Sequence, residues 1–363
     1  MQLTSNDETD LLMPLYAGVH DRSRWQSFLS RLQRRTGADH ASLILGQDDA
    51  GIDQALEIVS GLDLTERARQ LGLPQMHQSD YLPYPMLRPG RVYSAAELAS
   101  QDAGARSAHS SLNQRLGVSD WRVIRMRDLE GASAWLSLGR SKGSFSASDG
   151  ALLIAVAPHL AVALHNFVQT QRLHVRHAAS QMALTRAHVG WIALDQHARI
   201  VAMDDRMAAL IPAAVGDRLR PDNGEARQTL LHMATAAGQS DAIPPRLVTM
   251  RDAPRLDMVL TPLPDTPILA LTRPVLLALC RLTPDPATAQ QACLLAEMFA
   301  LPQREAELAL SIGEGRSIAE SAQLLGITQE TARNYSKRIY AKIGVRGQTE
   351  LARRILLSSA MLG

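Results

Sequence analysis

The segment Thr328–Ile343 reads TQETARNYSKRIYAKI, and it decides how the C-terminal part of the chain is interpreted. At helical spacing one face is basic and polar and the opposite face is apolar: the first holds Arg333, Asn334, Lys337 and Arg338, and the second holds Ala332, Ile339 and Ile343. The 363-residue chain has three lysines, and two of them lie in this segment. A helix of this kind can lie in a groove of DNA and neutralise phosphates.

A second, shorter helix is predicted immediately upstream. The sequence Ser317–Glu320 (SIAE) is a capping box, in which the serine and glutamate side chains each satisfy a backbone amide at the start of a helix. Gly326 lies between the two predicted helices, where a tight turn needs a residue that tolerates unusual backbone angles. Together the two helices predict a helix-turn-helix.

The composition is that of a globular protein, with 46% hydrophobic and 20% charged residues. A chain of 363 residues is too long for one ordinary core, so two or three domains are expected. The net charge is only +2, and residues 301–363 carry nine basic and six acidic residues. Any surface for nucleic acid must therefore be local, and this segment supplies it.

Several function classes find no support in the sequence. We recognise no nucleophile elbow, P-loop, dinucleotide-binding loop or metal-ligand cluster, so we expect neither an enzyme nor a cofactor or metal site. The N-terminus lacks the features of a signal peptide, and the longest apolar run, Ala151–Leu164, is too short to span a bilayer. Cys280 and Cys293 are expected to be reduced. These features predict a cytoplasmic protein without a membrane partner.

Residues 1–170 are predicted to form a first α+β domain. Two helices are expected over 8–36, a strand at Ala41–Leu45 and a possible strand over 53–60. An antiparallel pair, Trp121–Arg127 and Ala134–Gly139, is expected to turn at Leu129–Gly131, with its arginines alternating with apolar residues. Ser146–Asp149 then predicts the cap of a long helix that continues to about Leu184 if Pro158 only kinks it.

The long helix has two readings that the sequence leaves open. Apolar residues follow a spacing of three or four, at Leu153, Val156, Leu160, Ala163 and Phe167. A linker helix that dimerises two copies would show this pattern. A helix that packs on its own domain would show the same pattern.

Residues 171–285 are predicted to form a second α+β domain with an antiparallel sheet. Five strands are expected, at Val189–Leu194, Ala198–Met203, Arg246–Met250, Leu256–Leu260 and Ile268–Leu271. Helices are expected around Met207–Ile211 and at Leu230–Ala237. Pro284 and Pro286 mark the boundary with the last domain, residues 286–363.

The last sixty residues resemble the LuxR/GerE-type helix-turn-helix. The matching residues are Leu301, Arg304, Glu305, Glu307, Gly315, Ser317, Ile318, Ala319, Glu320, Leu325, Gly326, Ile327, Thr328, Thr331, Arg333, Ile339, Lys342, Gly344, Val345 and Leu351. The sequence departs from the usual pattern at three places: Pro302 is one position early without the usual hydroxyl cap, Tyr335 stands where His is common, and Ser336 stands where Leu is common. The last two departures predict a recognition helix that either packs less tightly or reads a different base step.

The two preceding regions resemble sensory domains. Residues 8–170 are similar to a GAF-like region through Phe145–Ser146 and the Ala157–Leu160 stretch, and 186–282 are similar to a PAS-like domain through its strand-turn-strand opening. The resemblance thus implies a multidomain fold: two α+β sensory domains, GAF-like and PAS-like, joined by a long helix, and an all-α four-helix LuxR-type domain.

The resemblance to the LuxR-type domain also implies roles for individual residues. Arg333, Asn334 and Lys337 would contact base edges in the major groove. The phosphate contacts would come from Ser317, Thr328, Thr331, Tyr335, Arg338 and Lys342. A homodimer would place two such helices on an inverted-repeat operator in double-stranded DNA.

The sensory half admits three readings. A small-molecule inducer is one, in a pocket lined by Tyr81, Tyr84, Trp121, Met126 and Trp135. The same aromatic residues are also ordinary members of a hydrophobic core. In the third reading the N-terminal domains bind no ligand and only dimerise or contact a protein such as RNA polymerase.

Overall fold

The structure is a computed structural model, and it describes residues 4, 7–47, 55–73, 87–98, 103–239, 243–264, 273–282 and 289–362. Of residues 22 and 103–109 only the backbone is described. The chain divides into two compact units, Met1–Arg176 and His177–Gly363.

The first unit is built on a five-stranded antiparallel sheet. Its strands are β1 (His40–Gln47), β2 (Leu56–Gly61), β3 (Val92–Ser94), β4 (Asp120–Arg127) and β5 (Ala132–Arg140), in the order β2-β1-β5-β4-β3. The predicted antiparallel pair is confirmed, with Trp121 opposite Gly139 and Arg127 opposite Ser133. Its turn exposes Leu129 completely.

Six helices of the first unit are described, after a single π-helical turn at Glu8–Leu12. They are α1 (Met13–Ala17), α2 (Arg22–Thr36), α3 (Leu64–Gln70), α4 (Ala95–Leu98), α5 (Ala103–Leu116) and α6 (Ala147–Arg186). Gly37 ends α2 in the left-handed conformation (φ 59°), which is common for glycine at the end of a helix. The side chains of Ser146 and Asp149 cap the start of α6 with reciprocal hydrogen bonds.

Both faces of the first sheet are covered by hydrophobic side chains. One face carries Leu43, Ile124 and Leu136 and packs against α1, α2 and the first half of α6. The other face carries Trp121 and Trp135 and packs against α3, α4 and α5. A sheet covered on both faces has buried residues at successive positions, as β5 does from Ala132 to Gly139.

Helix α6 continues through Pro158, as predicted, and its two halves differ in burial. The predicted apolar stripe packs into the core of the first unit, where Leu153, Val156, Leu160 and Ala163 are buried and Phe167 is partly buried. By length and composition alone, this helix is long and apolar enough to cross a membrane. The apolar run Ala151–Leu164, taken by itself, did not suggest this. Of its most apolar 18-residue window, 44% is buried inside the protein.

The second unit contains another five-stranded antiparallel sheet. Its strands are β6 (Val189–Leu194), β7 (Ile200–Met203), β8 (Arg246–Asp252), β9 (Arg255–Pro262) and β10 (Leu276–Arg281), in the order β7-β6-β10-β9-β8. Strand β10 was not predicted, and the strand expected at Ile268–Leu271 lies outside the described residues. Helices α7 (Asp205–Leu210) and α8 (Gly224–Ala237) accompany the sheet, and α8 packs on it through Leu230 and Met233.

The C-terminal part of the second unit is helical and has a hydrophobic core of its own. Its helices are α9 (Ala289–Phe299), α10 (Gln303–Gly313), α11 (Ile318–Leu324), α12 (Gln329–Ile343) and α13 (Gln348–Leu356), followed by a 3₁₀ turn at Ser359–Leu362. Gly313 on α10 lies so near Ile355 on α13 that a Cβ there would come within 2.8 Å of it. The hydroxyl of Ser311 donates to that of Ser321 across 2.8 Å in the same core.

The chain is therefore a mixed α+β protein with two antiparallel sheets and a helical C-terminal part. This confirms the predicted fold class at that level. The division of the chain at Arg176 falls inside α6. Within the second unit, the core of the sheet ends at Leu282 and the core of the helical part begins at Ala292.

Candidate nucleic-acid interface

Helix α12 is bounded by two residues whose chemistry suits helix ends. Thr328 is its N-cap, and the threonine hydroxyl accepts a hydrogen bond from the Thr331 amide across 3.1 Å. Gly344 ends the helix in the left-handed conformation at φ 77°, where a side chain would be strained. Between them Ala332 and Ile339 are fully buried against the C-terminal core, so one face of α12 is fixed.

Helix α11 precedes it with the predicted capping box. The Ser317 hydroxyl accepts from the Glu320 amide (3.2 Å), and the Glu320 carboxylate accepts from the Ser317 amide (2.7 Å). Hydrogen bonds from Ser317 lower the pKa of Glu320, because they favour the ionised carboxylate. Gly326 forms the turn to α12 at φ 64°. The two helices and the turn of the predicted helix-turn-helix are thus all present.

The three residues predicted to contact bases lie together on the exposed face of α12. Arg333, Asn334 and Lys337 are all exposed. Their side chains make no hydrogen bond or ion pair with any residue that the structure describes. Glu330, one turn before Asn334, is exposed on the same side of the helix. The outward face therefore offers two available cations, an amide and one carboxylate.

Two of the residues predicted to contact phosphate already have an anionic partner. The ammonium group of Lys342 lies 3.0 Å from Oε2 of Glu305 and 3.5 Å from the carbonyl of Ala300. Arg338 Nη1 lies 3.8 Å from Oε1 of the same carboxylate. Glu305 is only 3% exposed, so these two cations neutralise a buried charge of the core.

The remaining residues predicted to contact phosphate differ in how accessible they are. Ser317 and Thr328 are exposed, although each hydroxyl oxygen already serves as a helix cap. Thr331 is partly buried, and its hydroxyl lies 2.8 Å from that of Thr328. Tyr335 is partly buried and packs against the C-terminal core.

Ser336 stands where the LuxR-type pattern usually has leucine, and its side chain is buried like a leucine would be. It is 3% exposed, and its hydroxyl donates to the Arg333 carbonyl across 2.9 Å. The buried polar group is therefore satisfied within the helix itself.

Pro302 caps α10 without a side-chain hydrogen bond, as the sequence predicted.

Glu305 matches the LuxR-type pattern, but its role as the buried partner of Lys342 and Arg338 was not predicted. It lies on the stripe of α10 that also holds Ala309 and Ile312, both fully buried. A carboxylate at a position of the buried stripe is a signal that a cation must lie opposite it. The spacing of Glu305 from the apolar residues of α10 would have been enough to predict that this carboxylate is buried.

The predicted ligand-pocket residues do not form one group. Trp121 and Trp135 lie on the same face of the first sheet and are 3% and 2% exposed. Met126 packs on the other face, so its assignment to this pocket is wrong: strand residues at odd and even positions point to opposite sides. Tyr81 and Tyr84 lie outside the described residues.

The tryptophan face also carries buried polar side chains. Arg125 is 6% exposed, lies 5.6 Å from the Trp135 ring and donates to the Ser133 hydroxyl. Its side chain is buried because this sheet is covered on both faces. Ser137, two residues beyond Trp135, is 1% exposed, and its hydroxyl has no hydrogen-bond partner among the described residues.

No protein-family model and no curated protein matches the chain. Among solved structures, it aligns with the VqsR LBD domain from Pseudomonas aeruginosa at 16% identity, over 44% of this chain and 96% of that one, with a TM-score of 0.33. Escherichia coli SdiA aligns at 12% identity over 96% and 92% of the two chains, with a TM-score of 0.30. The LuxR family transcription factor CepR2 from Burkholderia cenocepacia aligns at 16% identity over 46% and 97%, with a TM-score of 0.31. Scores this low leave the function to be argued from the residues of the chain itself.

Proposed function

We propose that the protein is a bacterial, cytoplasmic transcriptional regulator that binds promoter DNA through the LuxR-type helix-turn-helix formed by α11 and α12, and that it is not an enzyme. One observation carries this proposal. Arg333 and Lys337 are exposed cations without an ion-pair partner among the described residues, whereas Arg338 and Lys342 on the same helix are close to Glu305. Cations left without an internal partner are available to neutralise phosphates or to read bases.

The chemistry of the outward face suits base recognition. An arginine can donate two hydrogen bonds to guanine, and an asparagine can pair with adenine, each worth about 1–3 kcal/mol of discrimination. Arg333 and Asn334 would take these roles, and Lys337 would reach a neighbouring guanine. Ser317, Thr328 and Thr331 lie at the start of the two helices, where hydroxyls and helix N-termini hold phosphates and set the register.

The test is a selection of binding sites from random-sequence DNA with the full-length protein, followed by gel shift on the selected site. Arg333→Ala and Lys337→Ala should each abolish specific binding without changing the circular dichroism spectrum. Arg304→Ala is the matched control, because Arg304 is an exposed cation of α10 paired with Glu307. Wild-type affinity in either α12 variant would overturn the assignment.

The N-terminal half, with its GAF-like and PAS-like domains, is proposed to control DNA binding in response to a small-molecule inducer. The tryptophan face of the first sheet supports this site, because the buried Ser137 hydroxyl has no partner there and a ligand group could provide one. A thermal-shift screen of metabolites tests it, and replacing Trp135 should remove any shift.

A second candidate is a regulator without an inducer, whose N-terminal domains only dimerise or contact a protein such as RNA polymerase. The second half of α6 favours it, because Val175 and Met182 are 67% and 65% exposed and lie one heptad apart. In a dimer this seam would bring two recognition helices to an inverted repeat. Light scattering should show a dimer that Val175→Glu with Met182→Glu converts to monomer, and Ile154→Glu is the control at an exposed position elsewhere on α6.

A further inference from the structure

We propose that the sheet domain of the second unit has a binding cleft for a small monocarboxylate with an apolar body. The cleft has a volume of about 420 Å³, which lies in the range of small-molecule sites. It is separate from the tryptophan face of the first sheet and from the helix-turn-helix. Its residues come from the segment that follows α7 and from the β8–β9 hairpin.

The floor of the cleft is apolar and firmly held. Ile211, Leu219, Met250 and Leu256 line it, and all four belong to the hydrophobic core of this sheet domain, with exposures of 3–8%. A floor made by core residues is preformed, so an apolar ligand body would bury surface there without ordering a loop.

The rim of the cleft carries three arginines, Arg218, Arg220 and Arg251. Arg251 is anchored: its Nε donates to the Pro254 carbonyl and its Nη1 to the Leu210 carbonyl. The side chains of Arg218 and Arg220 are exposed and make no hydrogen bond or ion pair with any residue that the structure describes. Leu219 between them is buried, so the two arginines leave the chain on the opposite side from the core.

The charge of the rim favours a monoanion. Asp217 and Asp222 also line the cleft, so three cations and two carboxylates leave one positive charge. Oδ2 of Asp217 already accepts a hydrogen bond from the Ala214 amide across 2.9 Å. A planar guanidinium fork matches a carboxylate with two hydrogen bonds. An anion with one charge would therefore balance the rim, and a dianion would exceed it.

The test titrates the full-length protein with octanoate, 1-octanol and octyl phosphate by isothermal calorimetry. Octanoate should bind, and 1-octanol should bind at least tenfold more weakly, since it lacks the charge that the arginines recognise. Arg218→Gln and Arg220→Gln should each weaken octanoate binding about tenfold. Arg281→Gln is the control, an exposed arginine of β10 that does not line the cleft, and it should change nothing.

Four outcomes would overturn the proposal. Equal affinities for octanoate and 1-octanol would show apolar binding without anion recognition, and tighter binding of octyl phosphate would show that the site prefers a dianion. Octanoate binding that both arginine variants retain would show that the arginines of this cleft do not recognise the carboxylate. Loss of octanoate binding in Trp135→Phe would place the ligand on the first sheet. None of these outcomes bears on DNA binding by α12, which the gel shift tests separately.

Discussion

The ammonium group of Lys342 lies 3.0 Å from the carboxylate of Glu305, which is almost completely buried beneath α12. One of the cations predicted to contact phosphate is thus already paired with a buried carboxylate of the protein core. Among the described residues, Lys342→Ala would leave the carboxylate with Arg338 as its one cationic partner, at 3.8 Å. We expect the helical part to lose about 1–3 kcal/mol of stability, because a buried charge loses its nearest partner.

Urea unfolding followed by circular dichroism measures this loss. Glu305→Gln combined with Lys342→Ala should recover part of it, since the uncompensated charge is then gone. Stability unchanged in the single variant would mean that Lys342 is free for DNA after all.

Glu330 offers a second prediction, because it is the one carboxylate on the outward face formed with Arg333, Asn334 and Lys337. Its charge should repel phosphates, so Glu330→Gln should raise the affinity for random-sequence DNA several-fold and steepen its salt dependence by about one unit of slope. A carboxylate can also accept from the amino group of cytosine, so preference at one base pair should relax. Fluorescence anisotropy at several salt concentrations measures both effects. Glu307→Gln makes the same charge change on α10 and should have neither.

Two serines of β5 provide a matched pair for the tryptophan face. The Ser133 hydroxyl accepts hydrogen bonds from Arg125, whereas the Ser137 hydroxyl has no partner among the described residues. Ser133→Ala should destabilise the first unit by about 1–3 kcal/mol, because it leaves a buried guanidinium less satisfied. Ser137→Ala should be neutral or slightly stabilising without ligand, and should weaken binding of any inducer that reaches that face. Thermal unfolding with and without the ligand found in the screen separates the two; a large loss in Ser137→Ala alone would reveal a structural role.

The capping box of α11 predicts an acid dependence. Hydrogen bonds from Ser317 lower the pKa of Glu320 below its ordinary value of 4.5. The ionised carboxylate therefore contributes stability that is fully present above pH 4.5 and is lost as the pH falls through the lowered value. Glu320→Gln should flatten the decrease in melting temperature over this range, and Ser317→Ala should cost about 1 kcal/mol at neutral pH. An identical acid profile in Glu320→Gln would contradict the assignment.

Local signals in the sequence were enough to predict the helical C-terminal part. Capping residues and glycines mark the ends of α11 and α12, and the 3.6-residue period of α12 separates Ile339 from Lys337. These features depend on neighbouring residues along the chain, so they can be recognised without knowledge of the tertiary fold.

The tryptophan face could not be predicted in the same way. The sequence of β4 was described only as arginines alternating with apolar residues, and Met126 was grouped with Trp121 in one predicted pocket. Both faces of the sheet are covered by helices. Residues that alternate along a strand therefore point into two different hydrophobic cores, and neither set points into solvent. Which helices cover a sheet is decided by distant parts of the chain. The strand β10 was missed because Leu276–Cys280 is apolar at every position, so the sequence shows no period of two, although burial alternates along the strand.

The hydrogen bond between Ser311 and Ser321 makes the effect of a substitution at one position depend on the residue at the other. Both side chains are buried, at 4% and 0% exposure, and each hydroxyl is the other's partner across α10 and α11. Replacing one serine by alanine leaves the other hydroxyl buried without its hydrogen-bond partner. Replacing both serines removes both polar groups from the core. Related chains are therefore expected to inherit these positions as a couple, with two hydroxyls or two small apolar residues, and mixed pairs should be rare.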